Sequence, residues 1–183
     1  MSAPHLPKPL APEFSRPVRI DQLGRLASVN HISADESERT ALARRFGLLA
    51  LDRLDTDYGL GEENGGIVAR GRVRAALSQP CVATGVAVAE EIDTDFTLRF
   101  VRDDAQPGEG EELEIDAEDC DTIDYDGQVI DMGEAVAETV ALAMTPYPRS
   151  PDADALLKAA GVVGEEQAGP FAALLALKDQ LGK

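Results

Sequence analysis

Three arginines at alternate positions, Arg70, Arg72 and Arg74, are the side chains of this sequence best placed for chemistry. On a strand, a spacing of two puts all three on one face, with attachment points spread over about 13 Å. A guanidinium donates two parallel hydrogen bonds to a phosphate, so such a row could follow a nucleic-acid backbone. Arg39, Arg44, Arg45 and Arg53 would extend the row if the helix that carries most of them packs beside the strand. Strand arginines also pair with carboxylates of neighbouring strands, where each pair contributes little. Both outcomes stay open at this point.

The opposite charge is gathered further along. Between Asp103 and Glu134 the chain carries 14 carboxylates, Asp131 and Glu134 among them. A solvated acidic loop is the ordinary state of such a run. The functional alternative is a surface that shields a very basic partner, such as a ribosomal protein or a nuclease. Steering by charge would make that association fast and salt-sensitive. Near the end, Phe171, Leu174 and Leu175 form an apolar stripe that either docks on its own domain or serves as a helical ligand for a partner.

Other candidate chemistry fails on spacing. Asp124-Tyr125-Asp126-Gly127 has the outline of a calcium loop, but its register puts Thr122 at the first ligand and Gly133 at the bidentate one. Cys81 and Cys120 have neither metal-ligand nor redox spacing, and neither His5 nor His31 is tied to Cys81 by a pattern. Cys81 therefore reads as a buried structural thiol, not an activated nucleophile. The glycines around Gly59 and Gly61 match neither a phosphate loop nor a dinucleotide fingerprint, and no serine elbow occurs. No catalytic residue, metal or cofactor is expected.

Positioning these groups falls to a chain of 183 residues with an ordinary apolar fraction of 44%, enough for a single core. Aromatics are only 4% and Trp is absent, so platforms for stacking bases are scarce. The net charge of −17 is unevenly spread. Residues 1–102 hold 13 basic and 14 acidic side chains, and residues 103–183 hold 4 and 20. No apolar run is long enough to span a bilayer, and prolines interrupt the N-terminus where an export signal needs an apolar core. A cytoplasmic protein with free thiols is expected, with no membrane or DNA partner.

Residues 1–13 read as a flexible lead-in, 14–150 as one α+β domain and 151–183 as a helical tail. Phe14–Ile20 suits a short edge strand. Ser33 with Glu36 predicts a capping box for a helix over Ala34–Phe46, stopped by Gly47. Leu48–Leu54 predicts a strand with Leu49, Leu51 and Arg53 on one face, and the acidic, glycine-rich Asp55–Gly66 predicts a loop ending in a hairpin signal. Strands follow over Ile67–Ser78 and Val86–Val101, with Phe96, Leu98 and Phe100 inward. Residues 102–121 read as a long acidic loop. Asp131 with Glu134 caps a helix over Met132–Met144, ended by the prolines from Pro146 on. Weaker helical signals cover Asp152–Ala160 and Phe171–Leu181. The fold class is α+β: an antiparallel sheet, curling toward a barrel, flanked by a few helices.

Four of these segments occur in a familiar order. They are Gln79-Pro80-Cys81-Val82-Ala83-Thr84, Ile130-Asp131-Met132-Gly133-Glu134, Pro146-Tyr147-Pro148, and the run from Gly169-Pro170-Phe171 to Lys178. Together they resemble the bacterial large ribosomal RNA subunit accumulation proteins, the YceD family, from about Phe14 to Lys178. The resemblance implies a role in the synthesis, processing or stability of 23S ribosomal RNA and brings no known catalytic residue. Some members carry Cys-x-x-Cys where this chain has Cys81 and Thr84, so the second thiolate of such a site is missing. An RNA-associated factor and an acidic adaptor for a basic protein are the two functional expectations. The RNA-facing candidates are Arg70, Arg72, Arg74, Arg44 and Arg45; the partner-facing ones are Phe171, Leu174, Leu175, Asp131 and Glu134.

Overall fold

A computed structural model describes residues 12–63, 66–103 and 121–162 of the chain. The lead-in up to residue 11, the acidic residues 104–120 with Cys120, and the terminal stripe with Phe171, Leu174 and Leu175 lie outside the described residues. The chain divides into two units, one drawing on Met1–Ser78 and Ala89–Met144, the other on Gln79–Val88 and Thr145–Lys183.

The first unit holds the core. Its strands are β1 (Pro17–Arg19), β2 (Asn30–Ser33), β3 (Ala50–Glu63), most of β4 (Gly66–Pro80) and β5 (Ala87–Arg102), β6 (Asp121–Tyr125) and β7 (Val129–Asp131). Five of them form a sheet in the order β2-β3-β4-β5-β6, and β1 pairs with β7 in a separate two-stranded sheet. The fold is α+β and the sheets do not close into a barrel. Pairing is antiparallel from β2 to β4 and parallel between β5 and β6.

The loop expected over Asp55–Gly66 is instead most of a strand. β3 and β4 pair from Ala50↔Ser78 to Glu63↔Gly66. Acidic and glycine content suggests a loop only when side-chain alternation is ignored. Thr56 and Tyr58 point into the core while Asp55 and Asp57 face out, opposite Arg74 and Arg72. Thr56 keeps its hydroxyl satisfied by donating to the Arg72 carbonyl at 2.8 Å. A bulge between Leu51 and Arg53 changes the phase, so that Leu51 and Leu54 are both buried. Arg53 is therefore exposed, and so is Leu49, which lies before β3 begins, against the expectation that both share a face with Leu51. Phe96, Leu98 and Phe100 point inward as alternation requires.

Helix α1 (Glu36–Phe46) starts two residues later than expected. Asp35, not Ser33, is its N-cap, with Glu38 completing a reciprocal capping box. Ser33 is instead the last residue of β2, an element that propensity did not announce. Gly47 ends α1 in the left-handed conformation at φ 68°. Asp131 caps α2 (Met132–Ala143) as expected, accepting from the N–H groups of Gly133 and Glu134.

The same Asp131 carboxylate takes the Ser15 hydroxyl at 2.5 Å and the Arg16 N–H at 2.7 Å. One side chain thus fastens the N-terminal segment to the start of α2. A Cβ on Gly133 would lie 2.3 Å from the Phe14 carbonyl oxygen, so only glycine allows this approach. Phe14, whose exposure is 0%, seats the segment in the core.

In the second unit, the turn from Cys81 is closed by the Gly85 N–H donating to the Cys81 carbonyl and the Cys81 N–H donating to Val86. Val82 N–H donates to Pro148, and α3 (Ala153–Ala159) follows the proline-rich exit.

Gly133→Ala is expected to destabilise the protein by about 2–3 kcal/mol, the cost of overpacking against backbone that cannot give way. Denaturant unfolding of the variant measures it directly, and a loss below about 0.5 kcal/mol would contradict this account of the Phe14 contact.

Candidate functional site

The outer face of the five-stranded sheet gathers most of the arginines singled out above. Arg70, Arg72 and Arg74 do share this face, and carboxylates on the strands around them hold all three. Arg70 pairs through both terminal nitrogens with Glu63, at 2.5 and 2.8 Å. Arg72 donates to Asp93 at 2.6 Å and to Asp95 at 3.3 Å. Arg74 donates to Asp57 at 2.9 Å and to Asp55 at 3.2 Å. His31 on β2 lies 2.8 Å from Asp57, and Arg74 reaches within 4.0 Å of Asp93.

The register explains the pattern. β3 and β5 present acids on either side of the basic row of β4: Asp57 and Asp55 lie opposite Arg72 and Arg74, and Arg70, opposite Gly59, reaches Glu63 further along β3. Hydrogen bonds from His31 and then Arg74 hold the Asp57 carboxyl below its ordinary range, and Arg72 does the same for Asp93. Among the described residues, these partners come from neighbouring strands. A phosphate would have to displace them.

Two more arginines serve as struts. Arg45 spans Glu13 and Glu134, contacting Glu134 at 2.6 and 2.9 Å, which ties α1 to α2. The Glu134 pair raises its already high pKa further. Arg16 makes a two-pronged contact with Glu38 at 2.6 and 2.8 Å and lies over the Phe14 ring. Asp131 and Glu134, read from sequence as partner-facing, are therefore engaged within the unit.

Arg39 and Arg44 differ. Neither has an ion-pair partner among the described residues; Arg39 donates to the Ala34 carbonyl at 2.7 Å, and Arg44 is exposed. Both line a groove of about 490 Å³ between α1 and the start of β3, which also carries Glu36 and Asp52. A second cleft, of about 230 Å³, lies between β6, β7 and α2. Its floor is apolar and its rim acidic, and sequence reasoning missed it because β6 and β7 were not foreseen.

In the second unit, the Cys81 thiol is buried, as the sequence implied. The Ser150 N–H donates to its sulfur at 3.3 Å. That donor, followed by the Thr84 hydroxyl, pulls the thiol from 9.0 down to about 7 against the opposing effect of burial. Thr84 Oγ is itself buried with no partner of regular hydrogen-bond geometry, so we assign the leading role to Ser150.

A sequence model of the large ribosomal RNA subunit accumulation protein YceD matches residues 69–178, more than half of the chain. The chain belongs to that family. No curated protein and no solved structure matched it. The family match takes in the β4 arginines, Cys81 and the capped start of α2, and begins after α1. Membership links the protein to accumulation of large-subunit ribosomal RNA. Among the described residues, no helix is long and apolar enough to cross a membrane, and no three His, Cys, Asp or Glu side chains are grouped as metal ligands.

Two titrations check this geometry. Arg16 lowers the Glu38 carboxyl below the free value of 4.5. The stability gained from the pair is complete above that value and is lost as pH falls through the depressed folded one. The Tm gap between wild type and Glu38→Gln is expected to be widest near neutral pH and to shrink as pH falls below 4.5; a gap independent of pH would refute the linkage. In a Cys120→Ser background, thiolate absorbance of Cys81 is expected to rise with a midpoint of about 7. A midpoint near 9 would show that the Ser150 contact does not form.

Proposed function

We propose that the protein is a non-catalytic, cytoplasmic factor that supports synthesis, processing or stability of 23S ribosomal RNA by binding a basic protein of large-subunit assembly. It acts on RNA at one remove. The observation that carries this reading is the pairing of Arg70, Arg72, Arg74 and Arg45 with carboxylates of their own unit. A chain with net charge −17 already repels a phosphate backbone, and its most ordered row of cations is neutralised before any RNA arrives. A basic ribosomal protein or nuclease faces the opposite field and is drawn in.

A second reading, direct RNA contact, has one specific support. Arg39 and Arg44 share the α1 groove without ion-pair partners among the described residues. Glu36 and Asp52 in the same groove offset them, which makes this the weaker case.

Crosslinking in cells separates the two. Recovery of a basic protein, with RNA following only through it, is the expected result, together with a lowered ratio of 23S to 16S RNA when the protein is depleted. The triple variant Arg70→Ala/Arg72→Ala/Arg74→Ala is expected to stay folded with only a small loss of stability, since exposed, solvent-screened pairs contribute little, and to keep its associated RNA. RNA crosslinked directly to this protein would overturn the proposal, and RNA attached at Arg39 or Arg44 would establish the second reading.

A further inference from the structure

The cleft between β6, β7 and α2 arises because two consecutive strands part company. β6 joins the five-stranded sheet beside β5, pairing from Leu98↔Asp121 to Arg102↔Tyr125. Three residues later β7 joins β1 in the other sheet. Asp126 fixes the fork: its carboxylate accepts the N–H groups of Gln128 and Val129 at 2.8 and 3.1 Å. A wedge must open between strands that leave a turn for different sheets.

The wedge has an apolar floor and a charged rim. Phe100, Ile123, Val129 and Ala135 line the floor, and Val129 keeps 37% of its surface in water. On the rim, Asp131 and Glu134 are spent on the N-terminal segment and on Arg45. Asp124 and Glu138 are not: neither side chain has a hydrogen-bond or ion-pair partner among the described residues. At about 230 Å³ the space falls below the roughly 300–1,000 Å³ of small-molecule sites and suits a single large side chain.

We infer that this cleft is a docking site for a protein segment that carries Lys or Arg on either side of one apolar anchor. The inference rests on the function proposed above and names the surface that performs it. Charge selects the occupant. Among the described residues, β6 is the last strand of its sheet. Acidic side chains there repel a second copy of this acidic protein and nucleic acid alike, and a basic segment satisfies them. The apolar floor adds what charge alone lacks, a requirement for an anchor flanked by cations rather than for cations of any arrangement.

The test uses the full chain and fluorescent peptides of equal charge, one alternating Lys and Leu and one of Lys with Gly. The Lys-Leu peptide is expected to bind more tightly and to shift amide resonances of Ile123, Asp124, Val129 and Ala135. Asp124→Asn/Glu138→Gln should weaken it about tenfold at low salt. Val129→Ser should weaken it about threefold and leave the Lys-Gly peptide unaffected. All three residues lie at the surface, and unchanged resonances elsewhere verify the fold. Binding whose shifts fall outside the cleft, with both variants behaving as wild type, overturns the docking site and leaves the basic-partner reading standing. Failure of both peptides to bind, with a 23S RNA fragment binding instead, overturns both.

Discussion

The carboxylate of Asp131 holds together parts of the chain that would otherwise have no reason to meet. It closes the first turn of α2 by accepting two backbone N–H groups, and it accepts Ser15 and Arg16 from a segment more than a hundred residues away. Charge-assisted bonds from four donors satisfy one anion almost fully, which is why the site tolerates its partial burial. From this point β1 is laid against β7, Phe14 enters the core, and Arg16 is aimed at Glu38 of the α1 cap. The cleft beside β6 follows as well, because β7 can leave the main sheet only if another strand is there to receive it.

Sequence reading succeeded where one residue type has one physical use. Gly47 ended α1, Asp131 capped α2, and Phe96, Leu98 and Phe100 turned inward by alternation. It failed where charge was read by amount instead of by phase. Asp55 and Asp57 belong to a strand because Thr56 and Tyr58 between them are core residues. Ser33 and Glu36 satisfy the spacing of a capping box, but Asp35 and Glu38 satisfy it too, and the second pair is preferred because Glu38 also receives Arg16. β6 escaped notice because a parallel edge strand of five residues depends on a partner strand that local propensity does not encode.

The candidate sites divide along the same line. Arginine spacing correctly implied that Arg70, Arg72 and Arg74 share a face, since that is a property of one strand. What they bind depends on the acids that pairing brings to β3 and β5, which is a property of three. Exposed pairs of this kind add little stability apiece, yet together they pin the register: a slip by one residue would set Asp55 and Asp57 toward the core and leave the arginines without partners.

A surface paired with itself is electrostatically quiet, and this shapes how a family tied to ribosomal RNA can act through so acidic a member. Polyanions are recognised by cations left in excess, and the sheet offers none along its most regular row. The excess lies in carboxylates, and two that no cap or strut among the described residues engages, Asp124 and Glu138, stand beside the wedge that the divergence of β6 and β7 creates. Selection for the proposed basic partner then requires no device beyond the topology itself. On the proposed reading, the fork that places β6 last among the described strands also lines it with negative charge, which favours cationic segments over copies of the chain.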